Sequence, residues 1–102
     1  MIDTLQGIHH VFFIGVAGAG MSAIAQYLAG AGYQVSGSDR YFTPGTFNDT
    51  RAKLEAAGIG CFEQDGSGIT TETQLVVVST AIEDTVYEVQ KARQLGIPII
   101  KR

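Results

Sequence analysis

The chain has one cysteine, no tryptophan and two prolines among its 102 residues. Cys61 has no partner for a disulfide and no companion at metal-ligand spacing. That excludes a stapled secreted fold and suits a reducing compartment, so the cytoplasm is expected. Charge is sparse too, at 17% of residues, with seven Lys and Arg against ten Asp and Glu. The basic residues form no cluster, which argues against a nucleic-acid partner. No charged residue at all occurs between Asp3 and Asp39. This stretch is no membrane segment, because a spanning helix needs about 20 mainly apolar residues and Gly15, Gly18, Gly20, Ser22, Gln26, Gly30 and Gly32 break it up. Nor does Met1-Ile2-Asp3 supply the basic start of a signal peptide. One soluble domain over residues 1–102 is expected.

What the chain does have is 13 glycines and 45% apolar residues in a regular alternation. Val11 to Ile14 is a short apolar run of strand formers ending at Gly15. Met21, Ile24, Ala25 and Leu28 then recur with helical spacing, and Gly30 and Gly32 stop that helix. Tyr33 to Gly37 reads as a second strand, completing a strand–helix–strand unit. Phe47, Thr50, Arg51, Leu54 and Ala57 form a second helical stripe, and Ile59 to Phe62 a third strand. Glu63 to Glu72 reads as a polar surface loop, and Leu75 to Val78 as a buried strand. Thr85-x-x-Glu88 has capping-box spacing ahead of a helix whose buried face is Val86, Val89 and Ala92. Ile97 to Ile100 reads as the last strand. Strands alternating with helices imply an α/β, Rossmann-like, three-layer domain. The order 3-2-1-4-5 is predicted for its five parallel strands, with a ligand crevice where the winding reverses between strands 1 and 4.

Gly15-Val16-Ala17-Gly18-Ala19-Gly20 lies between the first strand and the first helix. In that context Gly15 permits a tight turn, Ala17 to Ala19 let a ligand approach the backbone, and Gly20 permits close helix–strand packing. The amides at the helix start suit a phosphate or diphosphate, and Ser22 offers a further hydroxyl. Asp39 falls about 20 residues beyond the glycines, where an acidic side chain can accept from a ribose or a base. Arg40 beside it can pair with a phosphate, which leaves a nicotinamide dinucleotide open as a ligand, as in a dehydrogenase module or redox sensor. A degenerate module used only for protein contact is also open at this point. No Gly-Lys-Ser or Gly-Lys-Thr occurs, so no triphosphate loop is present. His9 and His10 are adjacent and so point to opposite faces of a strand, which makes a shared metal unexpected. Cys61 reads as a small core residue, and Glu83, Asp84 and Glu88 as negative charge at a helix start. Neither a catalytic constellation nor a metal site emerges.

Four segments taken together are more specific: Phe13 to Ala25, Val35-Ser36-Gly37-Ser38-Asp39, Val77-Val78-Ser79-Thr80-Ala81-Ile82, and Gly96-Ile97-Pro98-Ile99-Ile100-Lys101-Arg102. In order, they resemble the N-terminal domain of the Mur ligases, nearest the branch that includes UDP-N-acetylmuramate-L-alanine ligase and the muropeptide ligase. The resemblance spans essentially the whole chain. It implies a substrate domain that holds the UDP part of UDP-N-acetylmuramate or a UDP-muramyl peptide, in an ATP-dependent ligase of peptidoglycan synthesis or recycling. It also implies a missing central domain for ATP and magnesium and a missing C-terminal domain for the incoming amino acid or peptide. Lys101-Arg102 then reads as a cut between domains. Carried onto this sequence, the substrate residues are Gly15, Ala17, Gly18, Ala19, Gly20, Met21 and Ser22 at the diphosphate and Ser38, Asp39 and Arg40 toward the uridine. Ser79, Thr80 and Ala81 would line the opposite wall. Ala17 and Ala23 replace frequent glycines, Phe12 a frequent histidine, and Gln64 to Gly68 a usual Gly-His. The link from Asp39 to Thr50 is also longer than is common, so the amino acid or peptide added stays open.

Overall fold

The fold was analysed in a computed structural model that describes residues 7–79 and 86–101. Five parallel strands, β1 (His10–Ile14), β2 (Gln34–Ser38), β3 (Gly60–Phe62), β4 (Leu75–Val78) and β5 (Ile99–Lys101), lie in the order β3-β2-β1-β4-β5. Helices α1 (Ala19–Gly30), α2 (Asp49–Ala56) and α3 (Tyr87–Gln94) complete the domain. The winding reverses between β1 and β4, as the sequence predicts, so the glycine turn stands at the switch point.

Register divides β1 between two cores. Val11 and Phe13 join Met21, Ala25 and Leu28 of α1, Val35 of β2 and Leu54 of α2. Phe12 and Ile14 join Val76 and Val78 of β4 and Val89 and Ala92 of α3. A strand buried on both faces must be apolar at every position, which is why Val11 to Ile14 has no alternation.

The second helix departs from its predicted stripe. Phe47 is 79% exposed and precedes the helix, while Phe42, which the stripe omits, is buried. Asn48 sets the helix start by accepting from the Arg51 amide. Of the predicted stripe only Leu54 is buried. Arg51 stays on the surface layer, with its guanidinium over the Phe42 ring and a hydrogen bond to the Cys61 carbonyl. At α3, Val86 occupies the cap position with no side-chain cap, and Glu88, the acid of the predicted capping box, is turned inward. Thr85 lies outside the described residues. The polar loop after β3 also sends Ile69 into the core beneath α3.

A close approach beside the glycine turn is at Gly37. A Cβ there would lie 2.7 Å from the Val16 Cβ and 2.8 Å from the Phe13 carbonyl oxygen. Gly20, expected at a close helix–strand contact, is exposed instead. Gly37→Ala is therefore expected to cost about 1–3 kcal/mol by overpacking. At Gly30, by contrast, nothing lies within 4 Å, and Gly30→Ala should stabilise the chain by up to about 1 kcal/mol. Urea denaturation of the two variants checks the contrast, and equal stability would discount the contact at Gly37.

Candidate functional site

The site forms at the carboxyl end of β1. Gly15 adopts φ 86°, a left-handed conformation that lets the chain reverse at once out of the strand. The Gly15 and Val16 amides both donate to the Ser38 carbonyl, at 2.9 and 3.0 Å. The Ala17 amide donates to Asp39 Oδ2 at 3.0 Å. Gly18 donates to the Gly15 carbonyl and then accepts from Ser22 to begin α1. The first amides of a helix have no intrahelical acceptor, so the donors of Ala19, Gly20 and Met21 have no acceptor within α1. Among the described residues no side chain caps this end, and its first turn contains no acidic residue. Gly18, Ala19 and Gly20 are exposed, so the positive end of the helix dipole faces open space.

The predicted site residues thus separate into three groups. Gly15, Ala17, Gly18, Ala19 and Gly20 build the turn and the helix start. Met21 belongs there only through its backbone, because its side chain is buried with Ala25 and Leu28. The Ser22 hydroxyl bonds back to the Ala19 carbonyl at 3.1 Å. Asp39 is 6% exposed and holds two amides, Ala17 through Oδ2 and Tyr41 through Oδ1. It ties the turn to the chain leaving β2. Arg40 is exposed and rests on its neighbour Tyr41, 4.9 Å from the ring centroid with a 2.9 Å bond to the hydroxyl. Ser79 follows β4 directly, beside Gly15, because Ile14 pairs with Val78. Thr80 and Ala81 lie outside the described residues.

Ser38 is placed differently. It pairs with Ile14 and so shares the face that packs against α3. Its side chain is fully buried, and its hydroxyl donates to Glu88 Oε1 at 2.5 Å. Glu88 is itself fully buried, and its Oε2 has no hydrogen-bond partner. Burial pushes the Glu88 carboxyl up to about 7, and nearby Asp65 adds to this, whereas Ser38, the Gly66 amide and Lys91 oppose it. Lys91 is itself anchored to the Gly66 carbonyl at 2.7 Å. The sequence carried a signal for this buried acid: Glu88 stands four positions before Ala92, on the buried stripe of its helix.

The remaining candidates lie elsewhere. His9 and His10 are at the amino end of the sheet, where both amides donate to Gln74 Oε1. Among the described residues no group of His, Cys, Asp and Glu could hold a metal ion. The Cys61 thiol is pushed up to about 11 by burial and by Glu55, far from a reactive thiolate. No helix among the described residues is long and apolar enough to cross a membrane.

Residues 10–102 match the family model described as "Mur ligase family, catalytic domain". The chain is 40% identical over 93 residues to the UDP-N-acetylmuramate–L-alanine ligase of Solibacter usitatus, covering 91% of this chain and 19% of that protein. It is 41% identical over 93 residues to the enzyme of the same name from Syntrophomonas wolfei, covering 90% of this chain and 19% of the relative. It therefore spans about a fifth of the length of these relatives. Among solved structures, it superimposes with a TM-score of 0.76 and 27% identity on UDP-N-acetylmuramate:L-alanyl-gamma-D-glutamyl-meso-diaminopimelate ligase from Neisseria meningitides, covering 91% of this chain and 28% of that one. For the UDP-N-acetylmuramate-alanine ligase of Thermotoga maritima the TM-score is 0.75, with 29% identity and coverage of 91% and 20%.

The buried acid has a thermodynamic consequence. Because the folded chain holds the Glu88 proton up to about pH 7, against an ordinary value of 4.5, its contribution to stability is complete below the ordinary value and is lost as pH rises toward about 7. A shift of this size corresponds to at most ~3 kcal/mol. Glu88→Gln, which cannot ionise, should gain on the parent chain over that window. Urea denaturation at a series of pH values measures the difference, and a difference that stays constant with pH would contradict an ionisable buried Glu88.

Proposed function

The chain belongs to the Mur ligase family, and we propose that it is the domain that holds the UDP moiety of UDP-N-acetylmuramate or a UDP-muramyl peptide for an ATP-dependent amide-forming ligase. The observation that carries this reading is the uncapped start of α1 at the switch point of the sheet. Its first amides and dipole suit a diphosphate, and the exposed glycine and alanine backbone lets one approach closely. Asp39 orders this surface from behind, and Arg40 and Tyr41 stand on the side of β2 toward which the uridine would extend.

In this reading the chain positions substrate, and the acyl-transfer chemistry lies in parts of the ligase outside it. ATP and magnesium would be held by a central domain, and the amine acceptor by a C-terminal one. The enzyme would work in the cytoplasm, in peptidoglycan synthesis or recycling. The chain's own role is to fix the diphosphate, and through it the muramyl carboxylate, against those domains. Positioning a reactant in this way lowers the entropic part of the barrier.

Titration of the labelled chain with UDP-N-acetylmuramate should move the amide resonances of Ala19, Gly20 and Met21 most, while NAD and NADP leave them unchanged. Movement with the nicotinamide cofactors alone would overturn the reading. Asp39→Asn offers one acceptor oxygen where the carboxylate offers two, so either the Ala17 or the Tyr41 amide loses its partner. A hydrogen bond to a charged group contributes about 1.5–3 kcal/mol, so UDP-N-acetylmuramate affinity is expected to fall about tenfold or more. Unchanged affinity would remove Asp39 from the site.

A further inference from the structure

Glu88 has no place in the substrate contacts described above, yet among the described residues it is a buried acid with an unpartnered oxygen. It is fully buried, lies on a face otherwise filled by Phe12, Ile14, Val76, Val78 and Val89, and leaves one oxygen without a partner. An apolar side chain of similar volume would fill that space without the cost of desolvating a carboxyl. What the acid adds is its bond to Ser38. Ser38 in turn holds the glycine turn, because its carbonyl takes both the Gly15 and the Val16 amides.

We propose that Glu88 is a positioning residue for the glycine turn, acting through the Ser38 hydroxyl to fix the carbonyl on which the Gly15 and Val16 amides hang. The path is continuous: Glu88 Oε1, Ser38 Oγ, Ser38 carbonyl, Gly15 and Val16 amides, and then the start of α1. It joins α3 on one face of the sheet to the anion-facing helix start at the edge of the other face. The proposal rests on the diphosphate reading only for its effect on binding, since the geometry of the path is independent of any ligand.

A pH dependence follows. With its proton, Glu88 is a neutral partner for Ser38. Without it, the carboxylate is a strong acceptor, forces Ser38 to remain the donor, and places a negative charge behind the anion site. Among the described residues, the charged groups that face it are Asp65 of the loop after β3 and Lys91 of its own helix, and β2 presents the Ser38 hydroxyl. Diphosphate binding should therefore weaken as pH rises through neutrality. The diphosphate diester itself has no titrating group in that range.

The experiment compares the parent chain, Glu88→Gln and Ser38→Ala. Amide spectra of the ligand-free proteins are recorded from about pH 5.5 to about pH 8.5. The Glu88 carboxyl carbon is followed in the two proteins that retain it. In the parent chain the Gly15 and Val16 amides should titrate in step with that carbon, with a midpoint of about 7. Glu88→Gln should abolish the movement. In Ser38→Ala the Glu88 carboxyl should still titrate, but those two amides should follow with less than about half the parent amplitude, because the covalent and hydrogen-bonded path is cut. All three proteins retain His9 and His10, which lie at the opposite end of the sheet. Gly15 and Val16 amides that stay still while Glu88 titrates would overturn the proposal. So would full amplitude in Ser38→Ala, which would mark a through-space field. In the second arm, UDP-N-acetylmuramate should bind the parent chain about threefold or more weaker at about pH 8 than at about pH 6, and Glu88→Gln equally at both. A parent affinity that is constant with pH overturns the link to binding. Amides that follow Glu88 in a chain that binds no UDP compound would sustain the positioning role and overturn the substrate reading alone.

Discussion

Everything at the crevice depends on the last residue of β2 and the one after it. The Ser38 carbonyl and the Asp39 carboxylate between them take the amides of Gly15, Val16 and Ala17. Those three donors would otherwise stand unsatisfied where a strand stops and a helix has not yet begun. Because they are held by the neighbouring strand, the turn has one position, and the helix that leaves it has one direction. The donors left over are then the ones at the helix start, where an anion can meet them.

This arrangement constrains side chains some distance away. Val16 must be buried for its amide to reach Ser38, and Gly37 must lack a side chain because Val16 and the Phe13 carbonyl occupy that space. The two cores then divide the remaining work. Met21, Ala25 and Leu28 seat α1 on one face, while Val89 and Ala92 seat α3 on the other. Glu88 reaches across from α3 to the same Ser38 that holds the turn. The site is thus backed from both faces of the sheet, although its open surface is backbone from one short segment.

The architecture was legible in the sequence because its signals are collective. Four apolar residues ending in glycine, a stripe at helical spacing and the repetition of that pattern fix strands, helices and strand order together. The sequence is less informative where one residue's orientation matters. Ser38 is assigned to the substrate by the resemblance alone, and pairing with Ile14 turns its side chain toward α3. Gly20 reads as a packing glycine, yet the close approach is made by Gly37 on the adjoining strand, a contact that no local motif records. Phe47 fits a helical stripe, but the Asn48 cap starts the helix at Asp49 and Phe42 fills the core instead. The inward turn of Glu88 was foreshadowed by its place on the stripe, but charge at a helix start is the commoner use of an acid there. Asp39 is singled out by its spacing, while its double hold on Ala17 and Tyr41 is visible only in the tertiary structure.

The open end of α1 also says what a bound anion would be in the economy of folding. Asn48 supplies α2 with a cap from its own chain, whereas the cap position of α1 is Gly18, which has no side chain to offer. Among the described residues no side chain accepts from the first amides of α1, which leaves them open to solvent or to a ligand. A ligand diphosphate would occupy the position that an aspartate or serine fills in other helices, so part of its binding free energy would be stabilisation of the fold itself. Substrate recognition and the last step of folding would then be one event, and the tightness of the first would be read in the melting of the second.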